Sequence, residues 1–594
     1  MKTIVMSLCL LSIAVAFGAP NWVFFEDKGF QRGGRAEKEA ISSVENRVSQ
    51  RSLHRRALRG NPLDYEDIPV FPKYIERIEN SGAKIRVISK FLNAVSVEAD
   101  ETALSMIIEL PFVEHTKPVA SFRRDRPFDL HESVPSYGDY GTSWTQNRMI
   151  GADRAHSLGL TGDGVLVCIT DTGFKLDHLA LDSSEVLGAY DFIDDDSIVS
   201  FEPGDPSPSE SHGTMTWSVI GGYYPGDLIG TAYGVSVLLA RTEHYTMESP
   251  VEEDYWIAAG EWADSAGADV ISVSLGYSDW YTPDSMTGDI APISIVADIL
   301  AEHGICCVIC SGNHGSAGAT SVTVPGDADS VITVGAVDMY GNRLSFSGQG
   351  PTADGRIKPE LSALGIGVKA ASSSGISDFR TSSGTSASTP LVAGLTALML
   401  EARPELAPMD IRTALISTAS NNETPNNEIG WGIPDIMAAL SYPVGGEAAI
   451  PIYTGWNLVS IPLADTITCD AAFPGHIGDI WLWEPDSAAY IEATVIEPGK
   501  GYFVLYDCDT LLIINGDTPL NSIDLELSSG WHAIGAVAST NSLGTIASRS
   551  TASIHNDFYL FSKDTDQYKQ TKQFPPGHGG FLLVTVGGSV RLAE

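Results

Sequence analysis

The sequence predicts an α/β protein: a three-layer domain on a mainly parallel sheet, with a smaller α+β block in front and β-rich tandem repeats behind. Three observations carry that reading. Short, continuously apolar runs alternate with helical segments from about residue 140 to 440. A compact alternation of helix and strand patterns fills about residues 69–120. From residue 450 onward the chain repeats itself.

In chain order, Lys2, the apolar run Ile4 to Phe17 and the small residues of "AVAFGA" read as a secretory signal over residues 1–19. That run is too short to span a bilayer, and no later apolar stretch reaches the length a membrane helix needs, so no transmembrane anchor is expected. Residues 20–65, with "NRVSQRSLHRRALRG", read as a solvated basic linker of a prosegment. Residues 66–135 form the α+β block. "PKYIERIENSG" is a helix closed by Gly82, "AKIRVISKFLNAVSVEA" a strand pair, "ETALSMIIEL" a second helix and "FVEHTKPVASFR" a last strand.

Residues 136–442 form the main domain. "VLVCIT", "VSVLLA", "DVISVSL", "ICCVIC" and "VITVGAV" are apolar throughout and separated by helices such as "EEDYWIAAGEWADSAG" and "ISIVADILAEHG". Strands with no polar alternation are buried on both faces, which is the condition of a parallel sheet covered by helices. "PVGGEAA" (443–449) is a linker. In 450–594, "GWNLVSIPL" recurs as "GWHAIGAVA" after 75 residues and "PGKGYFVL" as "PGHGGFLL" after 78, so this region holds two copies of one β-rich module. The tryptophans Trp456, Trp481, Trp483 and Trp531 read as module core ahead of a sugar-stacking platform.

The net charge of −39 is unevenly spread. Residues 1–135 are almost balanced, with 19 basic and 18 acidic side chains, whereas residues 136–594 carry 17 and 57. So acidic a surface excludes nucleic acid as a partner, because a phosphate backbone needs a basic face. Cys168, Cys306, Cys307 and Cys310 lie in apolar runs and behave as small hydrophobes. Cys469 and Cys508 are the better disulfide candidates in an exported chain.

In open α/β sheets, ligands bind beyond the carboxyl ends of the strands. Those ends carry Asp171-Thr172-Gly173, Ser274-Leu275-Gly276 and Ser311-Gly312-Asn313, while "SHGTMTWSVIGG" and "SSGTSASTP" put His212 and Ser386 at helix starts. A helix start presents free N–H groups and favours negative charge, so a serine there can attack a carbonyl and have the oxyanion held on the spot. A serine nucleophile needs a base, and the base an orienting carboxylate.

"DTG", "HGT", "SGN" and "GTSASTP", in the order Asp, His, Ser, resemble the subtilisin-like serine proteases, the subtilase family, over about residues 140–442. The block before them resembles the ferredoxin-like subtilase inhibitor prodomain. The resemblance implies a subtilisin-like three-layer fold and a serine endopeptidase made as a zymogen. It implies Ser386 as nucleophile, His212 as base and acid, Asp171 as its orienter, and Asn313 with the Ser386 N–H as oxyanion hole. Ser274, Leu275, Gly276, Ser311 and Gly312 would line the substrate groove. Partners are then protein or peptide substrates and the chain's own prodomain as intramolecular inhibitor. The protein is expected to be a secreted or extracellular monomer, with surface association as a variant, cut near "RRDRP" or by itself.

No cofactor is required. Family members often bind calcium, for which "DFIDDDS" (191–197) is the best local candidate, against the reading of a solvated acidic loop. Met215 stands where relatives often have a second histidine, and His314 where the primary specificity pocket opens. His178 reads as structural, and "SGNH" as an accidental match to an esterase family name. The alternative function is a dead scaffold whose repeats bind a surface or polymer; a different serine hydrolase is the third reading.

Overall fold

In the computed structural model, residues 20–30, 32–119, 138–246, 249–562 and 567–593 are described. The signal reading (1–19) and "RRDRP" lie outside these residues. Among the described residues, no helix is long and apolar enough to cross a membrane.

The main sheet has seven strands, all parallel to their neighbours. Across it run Leu361–Leu364, Ile332–Val337, Cys306–Cys310, Val270–Val273, Leu166–Asp171, Ser236–Arg241 and Glu185–Asp191. The five inner strands from Ile332 to Arg241 are almost wholly buried, as their unbroken apolar sequences require. Glu185–Asp191 is exposed over its first half, an edge strand that an apolar-run criterion passes over. Helices Ser211–Gly221 and Thr385–Ala402 belong to the core on one face of the sheet, and Val251–Ala266 and Pro292–Glu302 to the core on the other.

The block in front is a four-stranded antiparallel sheet in the order Lys84–Ser89, Ala94–Glu98, Asn21–Phe25, Val113–Pro118, with helices Pro72–Glu79 and Glu101–Ile108. This is the expected ferredoxin-like arrangement, with one correction. The linker reading of residues 20–65 does not hold: "NWVFF" (21–25) is an inner strand, hydrogen-bonded on both sides. The basic stretch contains the helices Arg35–Glu45 and Gln50–Leu58. Arg55 and Arg56 are buried because their charges meet Asp264 of the main domain.

Behind the main domain, residues 447–515 and 522–593 fold alike. Each has a four-stranded antiparallel sheet, ordered Gly455–Val459, Tyr502–Tyr506, Trp481–Glu484, Ala489–Glu492 in the first copy. The second copy runs Gly530–Gly535, Gly579–Val586, Ser553–Ser562, Gln567–Thr571. The copies bridge each other at Val459 with His578 and Lys500 with Ile534. They are seated on the main domain: Arg403 binds the Glu447 side chain and carbonyl, and Asn422 donates to the Thr540 carbonyl at 2.8 Å.

Two further expectations are corrected. The tryptophans are not core: Trp456 and Trp531 are 43% and 40% exposed, and Trp456 and Trp481 line an open aromatic groove with Tyr490, Phe503 and Phe561. Their positions on the sheet face away from the clusters that hold Tyr502 and Phe558. Cys469 and Cys508 are free thiols; Cys469 donates to the Ala493 carbonyl at 3.2 Å and Cys508 is exposed. The four inner cysteines are buried, and burial raises Cys306 to about 12, so it stays a thiol.

Candidate active site

Asp171 ends its strand fully buried and takes four hydrogen-bond contacts. Its Oδ1 accepts from His212 Nδ1 at 2.8 Å, from Thr172 N at 2.8 Å and weakly from the Thr172 hydroxyl at 3.4 Å. Its Oδ2 accepts from the Thr216 hydroxyl at 3.0 Å. A carboxylate so held is fixed in orientation and sets which His212 nitrogen carries the proton. Thr216 escapes a search for reacting groups, yet it lies four residues after His212, on the same helix face. Gly213 makes the approach possible: a Cβ there would lie 2.3 Å from the Gly173 carbonyl and 3.0 Å from Asp171 Cβ. His212 itself keeps 22% of its side chain exposed, as a proton carrier must.

Ser386 is the second residue of the helix Thr385–Ala402, so its N–H has no acceptor within the helix. The hydroxyl-rich run can be buried because its hydroxyls turn back on the helix: Ser388 and Thr389 both donate to the Thr385 carbonyl, at 3.0 and 2.8 Å. Pro390 lies inside the helix rather than in its unpaired first turn. A proline there takes away the N–H that would bond the carbonyl four residues back, at a cost of about 3 kcal/mol if nothing replaces it. That carbonyl belongs to Ser386, and the Ser274 hydroxyl replaces the lost donor at 3.1 Å. The Ser274 side chain thus points at the Ser386 carbonyl.

Asn313 is exposed at the end of Cys306–Cys310. Its Oδ1 accepts from Thr385 N at 3.0 Å and the Thr385 hydroxyl at 3.1 Å, which turns Nδ2 outward with no partner among the described residues. A Cβ on Gly384 would stand 3.0 Å from Ser386 Oγ and 3.7 Å from both amide atoms of Asn313. Gly384, with φ +139°, therefore keeps clear the space that Ser386 and Asn313 share. Leu275, Ser311 and Gly312 are buried, and Gly276 and Gly312 both close on Thr323, where added Cβ atoms would lie 2.3 and 2.5 Å from it.

The structure therefore brings Asp171 to His212 and Ser386 to Asn313. Among the described residues, the two pairs are tied by Arg380, which sequence reading missed. It donates to Ser211 at 2.9 Å and Ser382 at 3.3 Å, one residue before His212 and four before Ser386. Among the described residues, the His212 ring bonds Asp171 and no hydrogen bond joins it to Ser386.

The other expectations place simply. His178 is buried between the Asp378 carbonyl and the Ala180 N–H, a structural role. Met215 is core. His314 is exposed and meets the Ser278 hydroxyl at 3.1 Å. The acidic loop does not fit a calcium site: Asp191 accepts from Ile193 N and Asp194 N with Oδ1 and from Arg241 with Oδ2, so a guanidinium already stands where a cation would.

Known proteins resemble this chain over the same two regions. The Subtilase family model matches residues 162–432, and the model of the Peptidase S8 propeptide domain, Bacteroidota, matches residues 20–129. Subtilisin E of Bacillus subtilis (strain 168) is 31% identical over 350 residues, 58% of this chain and 80% of that protein. Subtilisin of Bacillus pumilus is 34% identical over 295 residues, 49% of this chain and 92% of that protein. A solved protease from Pseudoalteromonas arctica PAMC 21717 aligns with a TM-score of 0.41 and 24% identity, over 50% of this chain and 96% of its own. The chain belongs to the subtilase family, a subtilisin-like serine endopeptidase carrying its propeptide domain in front.

Proposed function

We propose that the protein is an exported endopeptidase that hydrolyses peptide bonds of proteins through an acyl-enzyme on Ser386, and that it is held inactive by its own prosegment until cut between about Ala120 and Tyr140. On this reading the signal covers residues 1–19, the prosegment runs to 135, the peptidase domain spans 136–442, and 450–594 is the two-copy module, all within one monomer. The observation that carries it is the buried Asp171 carboxylate bound to His212 Nδ1 at 2.8 Å, beside the helix start that bears Ser386.

A substrate carbonyl lies over Ser386, and His212 Nε2 takes the hydroxyl proton as Oγ bonds to carbon. The negative oxygen that forms enters the space kept open by Gly384, where Asn313 Nδ2 and the Ser386 N–H donate to it. His212 hands its proton to the leaving amine, and the acyl-enzyme is hydrolysed by the same steps with water. Asp171 holds the imidazole throughout.

Ser386→Ala tests the reading. The variant is expected to secrete with its prosegment uncut and to lose casein hydrolysis. If wild type and variant are processed alike and neither cuts casein, the chain is a binding scaffold instead.

A further inference from the structure

Resting on the zymogen reading, we propose that the helix Gln50–Leu58 is a second anchor of the prosegment, at the end of the sheet opposite the active site, which keeps the cut prosegment seated and delays activation. The site stands at the carboxyl ends of the strands. This helix docks at the amino ends, where Leu166–Asp171, Val270–Val273 and Cys306–Cys310 begin.

The docking chemistry is that of four arginines on a helix C-terminus. The helix Val251–Ala266 ends at Gly267, and its last carbonyls need donors. The prosegment supplies donors there, Ser49 N to the Ser265 carbonyl at 3.0 Å and Ser49 Oγ to the Ala266 carbonyl at 2.9 Å, and just past the helix end, Arg51 Nε to Gly267 at 3.0 Å and Arg55 Nη1 to Ala268 at 2.6 Å. Cations there also meet the negative end of the helix dipole. Arg51 and Arg59 bracket Asp269, and Arg59 reaches the Gly304 carbonyl. Arg55 and Arg56 grip Asp264, with side chains no more than 2% exposed. Gly267 permits the contact, because a Cβ there would lie 2.7 Å from Ser52 N.

The anchor is tied to the rest of the prosegment. Arg56 binds Asp67 at 2.9 Å, and the buried Lys28 amine donates to the carbonyls of Tyr65, Glu66, Ile68 and Lys90. None of these bonds involves residues 120–137, so a cut there leaves them all in place. Release must then strip buried, charge-assisted bonds and expose Asp264 with only His303 left beside it, which slows dissociation.

The test uses the full chain with a site-specific protease sequence built into residues 121–137, so that the cut does not depend on self-processing. After the cut, wild type is expected to elute with its prosegment and to reach full casein hydrolysis only after a lag. Arg55→Ala is expected to shorten that lag at least about tenfold, with the final rate per labelled serine unchanged. Arg51→Ala, whose Asp269 partner keeps Arg59, is expected to shorten it less and serves if Arg55→Ala does not accumulate folded protein. Co-elution and lag equal to wild type in both variants would overturn the proposal. Phosphonate labelling of Ser386 separates the two claims: if wild type never labels or cuts casein, the enzyme reading fails and the anchor is judged by co-elution alone.

Discussion

The two ends of the parallel sheet use polar residues in opposite ways. At the carboxyl ends that flank Ser386, glycines keep space clear around short side chains, and Asn313 Nδ2 is left unpaired among the described residues, while the charged Arg241 and Asp191 pair with each other at the far strands. At the amino ends, long charged side chains are buried and matched: Arg55 and Arg56 to Asp264, Arg51 and Arg59 to Asp269. Burial alone would raise the Asp264 carboxyl, but the hydrogen bond from His303 and the charges of Arg55, Arg56 and Lys90 hold it well below the usual range. One end keeps donors free for a transition state, and the other spends them on a bound partner. Buried ion pairs add little net stability compared with apolar packing, yet breaking one partner is expensive, so such a contact suits a lock better than a scaffold.

The largest effect that sharpens this comparison is at the free donor. Asn313→Ala is expected to lower kcat by about 10²–10³ with KM little changed, the size such a donor has in subtilisins. An equal rise in KM, read from initial rates on a peptide substrate, would mean that Nδ2 serves ground-state binding.

The next lies under the prosegment sheet. Asp254 accepts from Ser96 at 2.6 Å and pairs with Arg86 at 3.0 Å, while its Oδ1 is buried without a partner among the described residues. Burial raises its carboxyl to about 6, against an ordinary 3.8, with Arg86, Ser96 and Trp22 pulling the other way. In the complex it keeps its proton to about pH 6; exposed after release, it loses it near the ordinary value. The bound state therefore holds the extra proton and is tightest in acid. It loosens, by at most about tenfold per pH unit, as pH rises through that window. Prosegment dissociation followed at pH 4.5 and 6.5 should show this slope, and Asp254→Asn should flatten it.

The smallest effect concerns Asp171. Thr216→Val removes one hydrogen bond to the carboxylate, expected to cost about 1 kcal/mol, or roughly fivefold in kcat. A loss near that of His212→Ala would show that Thr216 alone sets the imidazole.

The same contrast explains what the sequence made legible. The inner strands were readable because burial on both faces leaves an unbroken apolar record in "VLVCIT" and "ICCVIC". The site was readable because its groups sit in short local patterns at strand ends and helix starts. The arginine anchor was not: a buried arginine and a solvated one look alike, and Asp264 lies more than 200 residues from Arg55 and Arg56. The strand "NWVFF" was lost for the same reason, since both its partners are distant in sequence. The cost of Pro390 was not legible either, because its position in the helix decides that cost and the compensating Ser274 hydroxyl comes from a distant part of the chain.

The most direct test of the central claim is to treat the activated protein with a peptidyl phosphonate, digest it and locate the adduct by mass spectrometry. The account predicts one stoichiometric adduct on Ser386 that disappears in His212→Ala. An adduct on another residue, or equal labelling without His212, would contradict it.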